Sequence, residues 1–290
     1  MRIATYRYHN ARHVGRVSSD GLHVQAFDVS AEIAHFGALR LLESVVAGGQ
    51  WPAITNQQIA ISDVQLEAPM PVPRRNIWCV GRNYHEHAKE LSTSVFKDSN
   101  TNTQAWPIVF TKVPECVVGP FDAVHLPGAQ VSEQIDYEAE LAVIIGKGGK
   151  NIAGADAMQH VFAYTIVNDV TARDVQMRHQ QWDMGKSFDT FCPMGPWMVT
   201  ADELDGTHTH VRCIVNGEQR QDTQTSDMIF GIAHIVAYMS TIVELYPGDV
   251  IYTGSPFGVG HGRKPQVYLK PGDVVETTLE GVGTITNRCI

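Results

Sequence analysis

The sequence is poor in cysteine and lacks the cysteine spacings that build cross-linked or zinc-bound folds. Cysteine occurs five times, and there is no Cys-x-x-Cys pair. An odd number without close pairs disfavours both a disulfide framework and structural zinc. We therefore expect reduced and mostly buried thiols, as in a cytoplasmic protein. The five positions are Cys79, Cys116, Cys192, Cys213 and Cys289.

Long apolar runs and an excess of basic charge are absent as well. No stretch approaches the roughly 18 apolar residues of a membrane-spanning helix, and the first residues lack the apolar core of a signal peptide. The net charge is −9 at pH 7, so nothing favours nucleic acid as a partner. We expect a cytoplasmic protein that binds neither a membrane nor nucleic acid. A small anionic substrate would need a local positive site, from a metal or from Lys and Arg.

Prolines divide the chain near residue 70. Pro69, Pro71 and Pro73 fall within five positions and predict a stiff connector. We place a small N-terminal domain over residues 1–70 and a larger domain over residues 71–290. In the first domain, alternation predicts short strands at Arg2–Arg7 and Val14–Val17, and helical spacing covers Ala31–Val46.

The larger domain is predicted to be mainly β with a few helices. Apolar residues spaced i, i+3, i+4 and i+7 predict a helix over Ile232–Val243, and Thr171–Asp174 matches a capping box that opens a helix through about Gln180. Pro247-Gly and Pro271-Gly predict turns that open strands. Because strands and helices do not alternate regularly, the expected class is α+β, mainly β, and not a doubly wound sheet.

Acidic residues give the first indication of chemistry. In the stretch IDYEAELAVIIG, strand alternation places Asp136, Glu138 and Glu140 on one face, and Asp169 ends an apolar strand. Three hard oxygen ligands, Glu138, Glu140 and Asp169, without nearby Cys or His, indicate Mg²⁺, Mn²⁺ or Ca²⁺ rather than zinc. The alternative is a solvated strand face with Asp169 as a helix cap.

Two further patterns are candidates for catalysis. His87 and Glu90 lie three apart on a predicted helix, so the carboxylate could orient the imidazole as a general base; the alternative is a surface pair. Lys186, within GKSFD, has apolar and aromatic neighbours and could neutralise a developing enolate; the alternative is a solvated lysine. A polar stretch over residues 91–105 follows the pair and predicts a mobile loop.

The substrate-binding candidates are polar residues at predicted strand ends, on one helix face and in a glycine-rich stretch. Two of them follow strands as cations, and backbone N–H groups of the glycine-rich stretch could cradle a carboxylate. These candidates are Arg82, Tyr84, Lys112, Arg173, Gln176, Thr253, Gly254 and Ser255.

Taken together, several segments resemble the fumarylacetoacetate hydrolase family. They are VGRNYHEHAKE, PIVFTK, IDYEAELAVIIGK, NDVTARDVQ, GKSFDTFCPMGP, VNGE, PGDVIYTGSPFGVG and LKPGDVVE. They occur in the family's order and cover about residues 72–289. FDTFCPMGP and GRKPQVYLKPGD are most similar to the second mammalian paralogue type and its bacterial relatives.

The resemblance implies a fold and a site. The fold is a C-terminal mixed β-sandwich roll with a small N-terminal domain, usually in a homodimer. Glu138, Glu140 and Asp169 would bind Mg²⁺ or Mn²⁺, with Ca²⁺ as a substitute in a crystal. Lys186 would assist, and His87 with Glu90 would form a water-activating dyad on a lid, which we expect over residues 85–102.

The resemblance also implies a reaction on a small 2-oxo acid. We expect a hydrolase that cleaves the C–C bond of a 2,4-dioxo acid, of acylpyruvate or fumarylpyruvate type, to pyruvate and a carboxylic acid. The alternatives are an oxaloacetate decarboxylase, an oxaloacetate keto-enol tautomerase or a dioxo-acid isomerase that uses the same enolate chemistry. A non-catalytic 2-oxo acid binding protein is a third class, which stoichiometric binding without turnover would distinguish.

Overall fold

In a computed structural model of the protein, the described residues are 1–86, 106–178 and 181–290. The predicted dyad, His87 and Glu90, lies outside these residues. So does the predicted loop over 91–105, and only the first two residues of the predicted lid are described.

The N-terminal part consists of five strands and two helices. The strands are β1 (Arg2–Tyr8), β2 (Ala11–Val17), β3 (His23–Phe27), β4 (Ile54–Ala60) and β5 (Gln65–Glu67), and the helices are α1 (Ala31–His35) and α2 (Ala38–Val46). The single helix predicted over this region is wrong, because the chain turns at Gly37, where φ is +60°. A Cβ at Gly37 would lie 2.6 Å from Pro69 O, so the break depends on glycine.

The remaining described residues form thirteen strands and three α-helices. The strands are β6 (Ile77–Gly81), β7 (Ile108–Lys112), β8 (Val117–Val118), β9 (Ile135–Asp136), β10 (Ala139–Ile145), β11 (Val161–Asn168), β12 (Thr171–Ala172), β13 (Cys192–Thr200), β14 (His210–Val215), β15 (Glu218–Gln224), β16 (Val250–Tyr252), β17 (Val274–Leu279) and β18 (Gly283–Arg288). The helices are α3 (Arg173–Arg178), α4 (Asp183–Lys186) and α5 (Ile232–Ile242).

Most strands belong to one mixed sheet. Its order is β4-β3-β2-β1-β13-β11-β10-β16-β6-β7, with β5 paired to β1 and β8 paired to β13. A second sheet has the order β15-β14-β17-β18, and β12 pairs with β9. Pairing is mainly antiparallel, but β16–β6 and β13–β8 are parallel. The predicted mainly β class with few helices is confirmed.

The N-terminal strands extend the sheet that carries the larger domain. Strand β1 pairs with β13, with Ile3 opposite Met198. Ile3 and Leu42 share one apolar cluster with Ile77 and Met194. The domain boundary at residue 70 stays a prediction, and the two regions share both a sheet and a core.

Strand β10 lies between two apolar clusters, and every residue in it is buried. Leu141 and Val143 pack into one apolar cluster, whereas Ala142 and Ile144 pack into another. The alternative of a solvated carboxylate face is therefore wrong. The predicted continuous strand is interrupted between β9 and β10, so Glu138 leaves the ladder and its N–H bonds to Asn168 Oδ1 at 2.9 Å.

Other local predictions have mixed outcomes. Helix α5 is confirmed, and so are the two Pro-Gly turns, where Gly248 and Gly272 have φ of +86° and +97°. The capping box at Thr171 is wrong, because Thr171 lies in β12 and its hydroxyl is 3.0 Å from Glu138 Oε2.

All five cysteines are free and buried, as expected. No helix within the described ranges is long and apolar enough to cross a membrane.

Candidate metal centre and active site

Three carboxylates meet where β10 begins and β11 ends. Antiparallel pairing places Glu140 opposite Val167, so Asp169 arrives beside the start of β10 although it is distant in sequence. One oxygen each of Glu138, Glu140 and Asp169 lies within 4.8 Å of the others, and all three residues are buried. The predicted acidic triad is therefore assembled by the fold.

The three carboxylates of the triad repel one another strongly, because they are close together and buried. Burial, together with the Asp169 and Glu138 carboxylates, raises the pKa of Glu140 well above its usual value. The backbone N–H of Gly254 donates to Glu140 Oε2 at 2.7 Å, which partly compensates. Carboxylates this close are costly to bury unless cations accompany them.

Two lysines supply part of that positive charge. Lys186 Nζ donates to Glu138 Oε2 and, at 2.6 Å, to Asp169 Oδ2. Lys112 Nζ donates to Asp169 Oδ1 at 2.6 Å and to Val170 O at 3.1 Å. Burial is the largest single effect and opposes the charged form of each lysine, but the combined attraction of the neighbouring acidic groups, with Asp169 the strongest, raises the pKa of both. Lys112 was predicted to bind substrate; it is fully buried and pairs with Asp169, and it is not among the side chains that line the cleft.

Arg173, at the start of α3, links the triad to a fourth carboxylate. Its Nη2 donates to Glu138 Oε1 at 2.8 Å and its Nε donates to Asp136 Oδ2 at 2.9 Å. Asp136 also accepts from the backbone N–H groups of Gly260 and His261, at 2.7 and 2.9 Å. Asp136 was not among the predicted site residues, although its alternation with Glu138 and Glu140 indicated it.

The triad opens into a cleft with about 430 Å³ of empty space, part of it open to solvent. Of the predicted residues, the cleft brings together Arg82, Arg173, Gln176, Lys186 and Ser255 with the three carboxylates. Val80, Gly81, Phe110, Trp182 and His261 complete the wall.

Arg82 occupies an unusual position in this wall. It follows β6 with φ of +54°, a left-handed conformation that is uncommon for a residue with a side chain. Burial lowers the pKa of Arg82 to about 10, so the guanidinium still carries its charge at neutral pH.

Three predicted substrate-binding residues lie outside the cleft wall. Tyr84 is buried and lines a neighbouring cavity with His85 and Phe257. The Thr253 hydroxyl donates to Leu141 O at 2.8 Å, and Gly254 supports Glu140. The glycine-rich stretch does bind a carboxylate through backbone N–H, but the carboxylate belongs to the protein.

Three cleft residues with ring side chains were not among the predicted site residues: Phe110, Trp182 and His261. The Phe110 and Trp182 rings meet edge to face with centroids 5.2 Å apart, and Lys186 Nζ lies 5.0 Å from the Phe110 ring centroid. Phe110 lies within PIVFTK, a segment that was recognised for Lys112, whereas Trp182 lies three residues before GKSFD and outside every recognised segment. His261 had no signal beyond the preceding glycines.

The donor set suits a hard divalent cation. The triad offers carboxylate oxygens alone, and such ligands select Mg²⁺, Mn²⁺ or Ca²⁺ over softer metals. The raised pKa of Glu140 reflects burial and repulsion from the neighbouring carboxylates. A cation bound at these oxygens would reduce that repulsion. The residues therefore fit the predicted metal, and the identity of the ion stays a prediction.

Comparison with known proteins agrees with this geometry. The family profile described as fumarylacetoacetate (FAA) hydrolase C-terminal matches residues 76–290. Oxaloacetate tautomerase YisK of Bacillus subtilis is 38% identical over 306 residues, with 99% of each chain covered. Oxaloacetate tautomerase FAHD2A, mitochondrial, of Homo sapiens is 46% identical over 232 residues, which cover 79% of this chain and 70% of that protein.

The fold is similar to that of a solved structure from the same family. Fumarylacetoacetate hydrolase from Exiguobacterium antarcticum has a TM-score of 0.83 and 37% sequence identity to this chain, and the comparison covers 100% of this chain and 99% of that one. The family profile covers the triad, both lysines and Arg173. The predicted resemblance is confirmed, and the chain belongs to the fumarylacetoacetate hydrolase family.

Proposed function

We propose that this chain is a metal-dependent oxaloacetate tautomerase, which interconverts the enol and keto forms of oxaloacetate. The observation that carries the proposal is the buried triad with Lys186 bonded to two of its members, in a cleft that also contains Arg82. Two relatives at 38% and 46% identity bear that name. They support the tautomerase alternative better than the C–C hydrolase that we expected first.

The charges around the cleft suit a dianionic substrate. Among the described residues, four carboxylates and four cationic side chains form the site or bond to it directly. Their formal charges sum to zero. A divalent cation adds two positive charges, which a substrate with two carboxylates neutralises. The carboxylates are Asp136, Glu138, Glu140 and Asp169, and the cations are Arg82, Lys112, Arg173 and Lys186.

Tautomerisation passes through an enolate, and the cleft is arranged to stabilise one. A divalent cation held by Glu138, Glu140 and Asp169 would supply Lewis acidity toward the 2-oxo acid end of the substrate. Lys186, fixed by its bonds to Glu138 and Asp169, adds a positive charge beside the oxygen on which negative charge develops.

Arg82 is suited to the second carboxylate of oxaloacetate. It lines the cleft and is 6% exposed, and the planar guanidinium group matches the geometry of a carboxylate with two parallel hydrogen bonds. Arg173 is already bonded to Asp136 and Glu138, so its part is to position a metal ligand.

Proton transfer at C3 needs a group that can take and return a proton. We assign it to His87, oriented by Glu90, as the sequence predicts. Both residues lie outside the described ranges, so this assignment rests on the sequence alone. A homodimer and a cytoplasmic location likewise stay proposals.

Hydrolysis of a 2,4-dioxo acid is the second candidate. It is favoured by the name of the solved structure at 37% identity, a fumarylacetoacetate hydrolase. Both reactions need the same enolate stabilisation, and they are distinguished by their products, since only hydrolysis releases pyruvate and a second acid.

The proposed activity is measured from the decay of enol absorbance when enol oxaloacetate is added with Mg²⁺ or Mn²⁺. We expect Glu138→Gln to lower kcat/KM roughly 100-fold or more, because it removes a charged metal ligand and a partner of Lys186. Glu203→Gln is the matched control, since Glu203 is 54% exposed and pairs with the chain terminus.

The outcomes separate clearly. Enol decay that requires the metal, survives Glu203→Gln and is lost in Glu138→Gln supports the proposal. Enol decay no faster than with Mg²⁺ alone contradicts it, as does full activity in excess chelator.

A further inference from the structure

Asp136 is a buried carboxylate beside the triad, and the metal site alone does not explain its role. It ends β9, two residues before Glu138, and its side chain is 0% exposed. Within the described part of the chain, it belongs neither to the three grouped carboxylates nor to the side chains that line the cleft. A buried carboxylate is costly unless its charge is paired, so we expect Asp136 to act through the groups that pair with it.

Among the described residues, four hydrogen-bond donors surround the Asp136 carboxylate, two at each oxygen. Oδ1 accepts from the backbone N–H groups of Gly260 and Tyr137, at 2.7 and 3.0 Å. Oδ2 accepts from Arg173 Nε and from the His261 N–H, both at 2.9 Å. Because both oxygens accept, the position suits an ionised carboxylate, whereas an amide would turn its NH₂ group toward two donors.

Arg173 joins Asp136 to a metal ligand. Its Nε bonds to Asp136, and its Nη2 donates to Glu138 Oε1 at 2.8 Å. Arg173 is only 3% exposed, so one buried positive charge is shared between two carboxylates. At its other oxygen, Glu138 also accepts from Lys186 Nζ and from the Thr171 hydroxyl.

This sharing affects the metal site, because the guanidinium and a divalent cation attract the same carboxylate. A guanidinium that paired with Glu138 alone would neutralise charge that a cation at the triad needs. Asp136 compensates part of the positive charge of Arg173 and fixes the direction of its Nη2 bond. Hydrogen-bond partners of metal ligands commonly tune metal affinity in this way.

We propose that Asp136 is a positioning residue that sets the affinity of the triad for its divalent cation. It acts through Arg173, which it holds away from full pairing with Glu138. The backbone donors at Gly260 and His261 fix the Asp136 carboxylate in turn. The inference rests on the metal dependence in the proposed function, but it concerns binding of the metal and not the choice of substrate.

The test measures metal affinity directly. Mg²⁺ and Mn²⁺ are titrated by calorimetry into the metal-free full chain, for the wild type and for Asp136→Asn. We expect Asp136→Asn to bind both ions roughly 10- to 100-fold more weakly, the usual cost of losing a partner of a metal ligand. In the enol decay assay, the Mg²⁺ concentration for half-maximal rate should rise by the same factor, whereas kcat at saturating Mg²⁺ should stay within roughly threefold of wild type.

Asp249→Asn is the matched control, because Asp249 forms a similar buried pair away from the cleft. Its side chain is fully buried and accepts from Arg75 Nε and from the Tyr246 N–H, both at 2.8 Å. Its carbonyl accepts from the N–H of Ile145, at the end of β10 opposite to Glu140. We expect Asp249→Asn to weaken Mg²⁺ binding less than about twofold, because the two sites are separate.

A second pair of variants tests the route through Arg173. In the Arg173→Gln background, the guanidinium that links Asp136 to Glu138 is gone. There, Asp136→Asn should weaken Mg²⁺ binding less than about threefold, since the two substitutions remove the same link. The full loss in both backgrounds contradicts the proposed action through Arg173.

Equal Mg²⁺ affinity of the wild type and Asp136→Asn, or an equal loss in Asp249→Asn, overturns the proposal. If Asp136→Asn does not fold, Asp136→Glu and Asp249→Glu, which keep the charge and move it by one methylene group, decide by the same comparison. A wild type that binds Mg²⁺ but does not tautomerise oxaloacetate contradicts the proposed function, and the measured affinities still decide for Asp136. A wild type that binds neither Mg²⁺ nor Mn²⁺ contradicts both.

Discussion

At the scale of single residues, the site is a balance of buried charges. Glu138, Glu140 and Asp169 repel one another, and the protein offsets this with Lys112 and Lys186 at hydrogen-bond distance. Lys112 is fully buried and has no place in the cleft wall, so its contribution is to hold Asp169. Removing the Lys112 ammonium group would leave the buried charge of Asp169 less well neutralised, and this is its main effect on stability.

Lys112→Met tests this balance. In the absence of metal we expect the free energy of unfolding to fall by about 3 kcal/mol, the lower end of the cost of breaking a buried pair, because Lys186 still partners Asp169. Denaturant unfolding measures the change. Lys270→Met is the matched control, since Lys270 is exposed, and its effect should stay within about 0.5 kcal/mol. Equal stability of the two variants would show that Lys112 does not compensate Asp169.

Residue types and spacing made the triad, Arg173 and Lys186 candidates, and the resemblance of their segments to the family gave the triad and Lys186 their expected roles. The same reasoning could not assign Lys112 to Asp169, since that contact joins residues 57 positions apart. His261 could not be predicted for the same reason, because its backbone N–H bonds to Asp136, which is 125 positions away in the sequence. Tertiary pairing of this kind leaves no local periodicity in a sequence.

At the scale of elements, the packing of α3 against α4 sets the position of two cleft residues. Helix α3 carries Gln176 and α4 carries Lys186. At Gly185, a Cβ would lie 2.5 Å from the backbone N of Gln176, so the close approach of the two helices requires glycine there. This contact gives a physical reason for glycine before the lysine in GKSFD.

Gly185→Ala should disturb both stability and activity. The added methyl meets backbone, which cannot move aside cheaply, so we expect a loss of about 1–3 kcal/mol in the free energy of unfolding and a displaced Lys186. Gly154→Ala is the matched control, because a Cβ there has nothing within 4 Å. Denaturant unfolding and enol decay measure the two variants. If Gly185→Ala behaves like Gly154→Ala, the proposed packing constraint is wrong.

Local patterns predicted some elements well and others poorly. The periodicity of α5 and the Pro-Gly turns depend on neighbouring residues, and both were right. The break between β9 and β10 was missed, because the bond from the Glu138 N–H to Asn168 comes from another strand. The split at Gly37 was missed because its cause is the close approach of Pro69.

At the scale of the whole molecule, one sheet joins the N-terminal strands to the strands that present the acidic triad. The path runs from β1 through β13 and β11 to β10, so the first residues of the chain brace the strands that present the triad. Composition and motif order predicted the class of fold and the family. Strand order was not predictable, because it depends on pairings between distant segments.

We propose that the cleft chiefly tautomerises oxaloacetate and does not chiefly cleave dioxo acids. The most direct measurement compares kcat/KM for ketonisation of enol oxaloacetate with kcat/KM for pyruvate release from acetylpyruvate and fumarylpyruvate, on one preparation of the Mg²⁺-loaded protein. We expect kcat/KM for ketonisation to exceed both values for pyruvate release by at least about 100-fold, as for a site that discriminates between substrate classes. We also expect decarboxylation of oxaloacetate to pyruvate to be slower than its ketonisation. Faster pyruvate release from a dioxo acid than ketonisation of oxaloacetate would contradict the account and favour the hydrolase.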